Sequence, residues 1–496
     1  MKLKLKEIDI DSGYNVCFMN KKDADHMDLR HGERLKISSK KSSVTCIVDI
    51  SKSKRIISPG YIGLLTEAFR ELNLKEDTIV KVNHVDKPVS LHYIKKKLKG
   101  ERLEDHEIYA IIKDIVDGNF SDVEITYFVS ACYIHEMSMK ETVSLTNAII
   151  NTGDTIKFRK FPVVDKHCIG GVAGNRTTMI VVPLLASLGY TMPKTSARSI
   201  TSPAGTSDTV EVLCPVSLSV DKIKEVVDKT NGCLVWGGGV NMAPADDRII
   251  KVEHPVSLDP TGQLLASIMA KKKAVSATHL LVDIPYGKGA KIEDYKRAES
   301  LKEKFEKISK ELVIKTKVVL TDGSQPVGNG IGPALEARDV LWVFERDERA
   351  PMDLEEKGIE MAAHIIELTK KATFNDAVKI CRELMDSGKA QQKFKDIIKA
   401  QGGNTFESSK IELAKYKKDV LAVKSGIITS MNNKIISRIA RICGAPGSKR
   451  SGLYLYGHVG DRIEKGSPIM TLYSENKDKL EFAYDFYKEY GGVKLN

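Results

Sequence analysis

A multidomain α/β protein is what this sequence predicts, and three observations predict it. Its 496 residues are too many for one hydrophobic core, so two to four domains are expected. Through residues 160–240, and again through 278–410, strand-like apolar runs alternate with helical stretches, the sign of helices packed on a largely parallel sheet. Between 92 and 152 the strand signal gives way to helical periodicity. The expected architecture is a small β-rich N-terminal domain (1–86), a helical domain (87–158, joined by 243–275), a large central α/β domain with a mostly parallel sheet (159–242 and 276–410) and a C-terminal α+β domain (411–496).

In the N-terminal part, Val44 to Ile50 reads as a strand and His31-Gly32-Glu33 as a turn. Pro59 to Leu72 reads as one helix and Asp77 to Val82 as a further strand, together a barrel-like unit. In the helical part, Ile108, Ile111, Ile112 and Ile115 have the i, i+3, i+4, i+7 spacing of a buried helix face. Ser121-x-x-Glu124 and Ser138-x-x-Glu141 are capping boxes that each open a helix, and Gly118-Asn119 closes the helix before. Trp236 and the three glycines after it end the first α/β stretch, and Leu280 to Ile284 is the strand that resumes the pattern.

Composition narrows the function. The net charge of +11, from 77 basic and 66 acidic residues, suits an anionic small substrate or a nucleic acid. The second is disfavoured, because lysines are spread along the chain and the 6% aromatic content offers no interleaved stacking platform. Eight scattered cysteines form no Cys-x-x-Cys pair, which suggests neither a zinc site nor a redox pair. No apolar run reaches membrane-span length, and Met1-Lys2-Leu3-Lys4-Leu5-Lys6 lacks a signal-peptide core, so a cytoplasmic protein with no membrane partner is expected.

The chemistry concentrates in residues 166–211. Lys166-His167-Cys168-Ile169-Gly170-Gly171-Val172-Ala173-Gly174-Asn175-Arg176-Thr177-Thr178 precedes an apolar segment, and a second loop, Lys194 to Glu211, follows it. Three glycines let the first backbone bend tightly and approach a ligand. Thr177 and Thr178 stand where a helix N-terminus would direct free N–H groups at an anion. Lys166, Arg176, Lys194 and Arg198 bring positive charge, and Thr178, Ser196, Ser199, Thr201, Ser202 and Thr206 bring hydroxyl donors. The spacing fits neither a Walker loop nor the dinucleotide fingerprint, yet it reads as a phosphate site.

Lys166-His167-x-x-Gly170-Gly171-Val172, Ser196-x-Arg198 and Gly205-Thr206-x-Asp208-x-x-Glu211 resemble the thymidine/pyrimidine-nucleoside phosphorylase family. Ala243-Pro244-Ala245-Asp246-x-Arg248, Ser267-Ile268-Met269-Ala270-Lys271-Lys272, and Asp283 with Gly287 and Gly289-Ala290 are similar to further boxes of that family, in the same order. The resemblance runs from about residue 92 to the C-terminus, and an N-terminal extension such as 1–86 is carried by the archaeal branch that acts on nucleoside monophosphates.

What the resemblance implies is phosphorolysis: phosphate attacks the anomeric carbon and the base leaves. The Arg that hydrogen-bonds the base in the pyrimidine enzymes should fall near 251–253, where this chain has Lys251-Val252-Glu253. Asp259 follows in Ser257-Leu258-Asp259-Pro260, matching the proton donor of the monophosphate branch. A carboxyl with a raised pKa can give a proton to a departing purine, whereas a guanidinium cannot; alone, Asp259 also reads as a turn cap. Lys291 replaces an apolar family residue and could hold a 5′-phosphate, though a lysine in so basic a chain also reads as solvated charge. Cys168 replaces a Ser that donates to phosphate, and a thiol is a weak donor. Substrate contacts are implied for Gly171, Ala197, Arg198, Ser199, Ile200, Thr201, Ser202, Thr206, Ser267 and Lys291, and also for Lys166, Thr178, Ser196 and Lys271. His167 is either a contact to sugar or base, or a structural residue. The implied reaction takes AMP, with CMP and UMP as further candidates, and phosphate to free base and ribose 1,5-bisphosphate in nucleotide salvage. Inorganic phosphate is the co-substrate, no metal or other cofactor is called for, and a homodimer or larger homo-oligomer is expected. The alternatives are a pyrimidine-nucleoside phosphorylase and an anthranilate phosphoribosyltransferase-like protein of the same fold, which would want an acidic magnesium motif that this sequence lacks.

Overall fold

The computed structural model describes every residue except Gly13, Tyr14, Lys41, Ile200, Thr201 and Ser257, and every other side chain but that of His254. The chain divides into two compact units, Met1–Thr152 with Pro244–Ala266, and Gly153–Ala243 with Ser267–Asn496.

The first unit begins with a closed barrel of β1 (Lys2–Ile8), β2 (Val16–Asn20), β3 (Arg34–Ser38), β4 (Ser43–Ser51), β5 (Tyr61–Leu65) and β6 (Ile79–Val85), in the order β1-β5-β2-β4-β3-β6. Alternation sends Leu3, Leu5, Val44, Cys46 and Val48 into its core. Two short helices, α1 (Lys21–His26) and α2 (Thr66–Leu72), interrupt the strands. The single helix expected over 59–72 is therefore a strand followed by a helix. Tyr61-Ile62-Gly63-Leu64-Leu65 is apolar without helical spacing, and β1 and β2 pair with it on both sides, so its backbone groups are satisfied as a strand.

Four helices follow: α3 (Ser90–Leu98), α4 (Asp105–Val116), α5 (Asp122–Ile134) and α6 (Met139–Asn151). Both capping boxes form, with Glu124 accepting from the Ser121 N–H at 2.9 Å and Glu141 from the Ser138 N–H at 2.8 Å. The four isoleucines of α4 are buried. The later helix Pro244–Val256 joins them, its Arg248 donating to the Ile115 carbonyl at 2.8 Å.

The second unit carries β7 (Val164–Cys168), α7 (Thr177–Ser187), β8 (Met192–Ser196), α8 (Thr206–Val210), α9 (Val220–Thr230) and β9 (Gly232–Trp236). After α10 (Pro244–Val256), α11 runs Thr261–Ala274, and the division between units falls inside it, between Ala266 and Ser267. Next come β10 (His279–Tyr286), α12 (Tyr295–Glu311), β11 (Lys315–Asp322), β12 (Gly330–Ile331) and helices α13 (Pro333–Glu345), α14 (Met352–Leu368), α15 (Phe374–Asp386) and α16 (Lys389–Ala400). β11, β10 and β7 pair in parallel, as do β8 and β9, and a parallel bridge from Val163 to Thr191 links the two sets. α7 is apolar on every side and buried within this core, as a helix covered all round must be.

The chain ends in β13 (Tyr416–Leu421), β14 (Gly426–Met431), α17 (Asn433–Ile442), β15 (Gly452–Leu455), β16 (Arg462–Ile463), β17 (Pro468–Ser474), α18 (Lys477–Tyr490) and β18 (Val493–Leu495). The short β12 joins this part, in a sheet ordered β12-β15-β17-β13. Among the described residues no helix is long and apolar enough to cross a membrane.

Candidate active site

Parallel strands point their carboxyl ends the same way, and ligands of open α/β sheets bind beyond those ends. Three segments leave the sheet there: 169–176 after β7, 197–205 after β8 and 287–291 after β10.

The first loop is shaped by its glycines. Gly170 and Gly171 have φ of +88° and +87°, a region that glycine alone enters cheaply. A Cβ on Gly171 would stand 2.7 Å from the Lys291 Cβ and closer still to the Lys291 amide nitrogen, whereas one on Gly170 would meet nothing within 4 Å. The Gly-rich loop and the Gly289-Ala290-Lys291 turn therefore touch backbone to backbone on one side of Gly171, and Gly170 is open. Farther along, the Ala173 N–H donates to Asn433 Oδ1 at 3.1 Å. Thr177 and Thr178 open α7 as expected, both buried.

Beneath the loops lies a buried charge cluster. Asp165 and Lys166 are neighbours on β7 and so face opposite sides of the sheet. Asp165 meets Lys272 at 2.8 Å and Lys194 at 3.7 Å. Lys166 donates to Thr177 Oγ1 at 2.9 Å and stands 3.6 Å from Asp283, which also lies 3.8 Å from Lys357. Four lysines thus share two carboxylates, and the surplus positive charge is what an anion would complete.

This crowding shifts the protonation of its members. Burial, reinforced by Lys272, brings Lys194 down to about 7. Burial together with Lys272, Lys194, Lys166 and Lys271 holds His167 well below the usual histidine range, so its imidazole is neutral at pH 7. Burial pushes the Cys168 thiol up to about 11, which keeps it protonated. Burial alone would raise Asp283, but Lys166, Lys357, Thr321 and the Cys168 thiol outweigh it and hold the carboxylate low. The Cys168 sulfur itself accepts a long hydrogen bond from Asn175 Nδ2 at 3.7 Å.

The second loop is held from within. Asp208 Oδ2 accepts the Ser199 and Gly205 N–H groups at 2.7 and 2.8 Å. Ser199 Oγ donates to the Ser202 carbonyl, and Ser202 Oγ to that of Ala204 at 3.0 Å. Ser196 is half-buried at the end of β8, and Ala197 is exposed. Arg198 pairs with Glu211 at 2.6 Å and Asp208 at 3.3 Å, with its guanidinium carbon 4.9 Å from the Trp236 ring centre. The hydrogen bond from Arg198, with help from Lys449, brings Glu211 down to about 2. Arg176, one of the four positive charges of these loops, is engaged within the protein. It pairs with buried Glu336 and donates to Thr206 Oγ1 at 3.1 Å and the Ala204 carbonyl at 2.7 Å, so it clamps the second loop to the first. Ile200 and Thr201 lie outside the described residues.

Lys291 and its neighbour Lys288 have exposed side chains. Ser267 and Lys271 are half-buried on α11, in the same unit as the loops. Asp259 is exposed in the segment between α10 and α11, in the first unit. Sequence reasoning missed Asp165, Lys357 and Glu336. An aspartate beside the apolar pair Val163-Val164 was a usable signal; Lys357 and Glu336 sit in ordinary helical sequence and gave none. Among the described residues no group of three or more His, Cys, Asp or Glu is arranged to hold a metal ion.

Three family models match the chain: the helical bundle domain of a glycosyl transferase family over 91–153, its a/b domain over 160–391, and the pyrimidine nucleoside phosphorylase C-terminal domain over 427–491. The AMP phosphorylase of Methanococcus maripaludis (strain C5) is 42% identical over 493 residues, covering 99% of this chain and 97% of that protein. That of Methanocaldococcus jannaschii is 42% identical over 481 residues, 97% of this chain and 95% of that protein. Among solved structures, the anthranilate phosphoribosyltransferase of Thermus thermophilus superposes with a TM-score of 0.51 at 16% identity, covering 62% of this chain and 98% of that one. The Saccharomyces cerevisiae enzyme, solved with PRPP and Mg, gives 0.52 at 12% identity, over 64% and 98%. These two likenesses establish a shared fold.

Proposed function

Because the chain belongs to the thymidine/pyrimidine-nucleoside phosphorylase family, we propose that it phosphorolyses nucleoside 5′-monophosphates, converting AMP and phosphate into adenine and ribose 1,5-bisphosphate, with CMP and UMP as further substrates. The observation that carries the reading is the contact of Gly171 with Lys291, above buried lysines that outnumber their carboxylates. A nucleoside has one anionic co-reactant to bind; a nucleotide has a second phosphate, and Lys291 is the cation for it.

Phosphate is the nucleophile, so the protein supplies position and charge. One phosphate oxygen attacks C1′ as the bond to the base nitrogen breaks, through an oxocarbenium-like state akin to that of glycosidases. The lysine cluster and the N–H groups of the first loop and the α7 N-terminus hold the dianion. Asp259 gives its proton to the departing base, and His167, neutral, is a polar contact to sugar or base. Gly171, Ala197, Arg198, Ser199, Ile200, Thr201, Ser202, Thr206 and Ser267 are the further contacts in this reading, with Lys166, Thr178, Ser196 and Lys271 beside them. The reaction asks for no metal or organic cofactor. The enzyme works in the cytoplasm as a homodimer or larger homo-oligomer, without nucleic-acid or membrane partners.

The test is phosphate-dependent release of base from AMP, CMP, UMP, adenosine and thymidine, side by side. Cleavage of the nucleotides with formation of ribose 1,5-bisphosphate is expected. Cleavage of thymidine but not of AMP would overturn the reading in favour of a pyrimidine-nucleoside phosphorylase, to which the match over 427–491 lends weight.

A further inference from the structure

The far half of the Gly-rich loop rests on a second segment, 327–330. The Val327 N–H donates to the Ala173 carbonyl at 3.0 Å. Gly174, at φ +71°, comes so near that a Cβ there would stand 2.4 Å from the Val327 carbonyl oxygen and 3.2 Å from that of Gly330. The path of 327–330 therefore sets where residues 173 and 174 can lie, just before α7 begins.

Carboxylates fix that path. The Gly328 N–H donates to Asp353 Oδ2 at 2.9 Å, and the Asn329 and Gly330 N–H groups both donate to Asp339 Oδ2, at 2.8 and 2.6 Å. Irregular backbone needs such acceptors wherever it is closed to water. Asp339 follows Glu336 by three residues on α13, so the two project from one face of the helix. Glu336 takes Arg176, near the end of the same loop, and the Gly332 N–H at 3.2 Å. One helix thus holds the Gly-rich loop twice, directly at 176 and through 327–330 at 173 and 174. The hold is costly. Asp339 is 2% exposed, its Oδ1 meets no hydrogen-bond partner among the described residues, and burial lifts it to about 7 in spite of the two N–H groups. An apolar side chain would spare that cost but strand both N–H groups.

We infer that Asp339 is a positioning residue of the anion site: its Oδ2 fixes 328–330, and 327–330 seats the half of the Gly-rich loop that leads into α7. The role rests on the phosphate-site reading above, and Asp339 acts through residues 173 and 174. Its effect should be selective. The contact assigned to the nucleotide side lies at the other end of the loop, where Gly171 meets Lys291. Loosening 173 and 174 should therefore weaken inorganic phosphate far more than AMP.

The experiment titrates inorganic phosphate into full-length wild-type protein, Asp339→Ala and Asp339→Asn by calorimetry at pH 8, above the value of about 7 to which burial lifts this carboxyl. KM for phosphate and KM for AMP are measured beside it, with thermal melts to verify folding. Asp339→Ala is expected to bind phosphate about 10- to 100-fold more weakly, the range for two stranded donors that unseat the loop, while KM for AMP stays within about twofold. The sign is informative. Removing a negative charge by itself favours an anion, so a loss of phosphate affinity reports the geometry of the loop. Asp339→Asn keeps an acceptor oxygen on the same stem and should recover most of the loss. If Asp339→Ala does not fold, Gly174→Ala disturbs the same contact from the loop side, and the same phosphate-selective loss is expected of it. Phosphate affinity that is unchanged or raised, KM values for phosphate and AMP that rise together, or an asparagine as weak as the alanine would each overturn the inference. Wild-type protein that binds phosphate yet releases no base from AMP would sink the phosphorolysis reading alone, because the affinity comparison stands without it.

Discussion

Gly170 and Gly171 provide a controlled comparison, because their backbones are alike and their surroundings are not. Their φ values are +88° and +87°, so an alanine at either carries the same left-handed strain, about 1–2 kcal/mol. Only at 171 does the new methyl meet a neighbour. It would lie 2.7 Å from the Lys291 Cβ, and ordinary contact begins near 3.4 Å, so the loop and the 289–291 turn must part by about 1 Å. The obstacle includes backbone, which cannot rotate aside, and overpacking of this kind adds about 1–3 kcal/mol. A displacement of about 1 Å at a site that works by positioning costs roughly 10²-fold in rate. Gly171→Ala is therefore expected to lower kcat/KM on AMP about 100-fold, and Gly170→Ala to lower it far less, although both lose stability. The assay is initial-rate phosphorolysis for the two variants beside wild type, with thermal melts in parallel. Equal rates for the two variants would refute the reasoning, since strain would then be everything and the Lys291 contact nothing.

Three further outcomes follow from the site. Lys291→Ala should weaken AMP by about 1.5–3 kcal/mol, the worth of one charge-assisted hydrogen bond, and leave adenosine little affected; equal losses on both would remove Lys291 from the 5′-phosphate. Asp259→Asn should cut turnover on AMP roughly 10²–10⁴-fold with nucleotide binding nearly intact, yet spare a ribosyl nitrophenyl 5′-phosphate whose leaving group needs no proton; a matching loss on that substrate would make Asp259 a positioning group. Lys194 is lowered on folding from its ordinary value of 10.5 to about 7, so between those values the unfolded chain binds the extra proton and stability climbs with pH. Lys194→Met should flatten that climb in urea melts taken from pH 7 to 10, and should also abolish the proton taken up when sulfate binds at pH 8, read by calorimetry in two buffers of different ionisation enthalpy.

How much of this was legible in the sequence depends on how far apart the partners lie. The capping boxes at Ser121 and Ser138 were readable because a helix start is written in four consecutive residues, and both form. The isoleucine face of α4 was readable for the same reason. The stretch 59–72 was misread because an apolar run of five has no period of its own. What makes Tyr61–Leu65 a strand is β1, more than fifty residues earlier, and β2. The loops of the site showed through their glycines and hydroxyls. Their counter-charges did not: Arg176 finds Glu336 across 160 positions of sequence, and Asp283 finds Lys166 and Lys357 from opposite directions along the chain. An alternating pattern can place such residues on a strand or helix, but the partner that neutralises each one is chosen by the fold.

Asn433 gives the C-terminal part a consequence for synthesis. Its side chain accepts from the Ala173 N–H and donates to the Gly323 carbonyl at 2.9 Å, and Ala173 itself packs into the core built by residues beyond 420. The Gly-rich loop therefore borrows its last fixed point from a residue 260 positions downstream. A nascent chain that has already completed β7 and α7 still holds an unfinished loop until α17 has emerged and docked. Shortened forms ending before that helix would keep every residue of the loop and lose an anchor that sets its shape, so the loop is completed only after the central sheet that carries it.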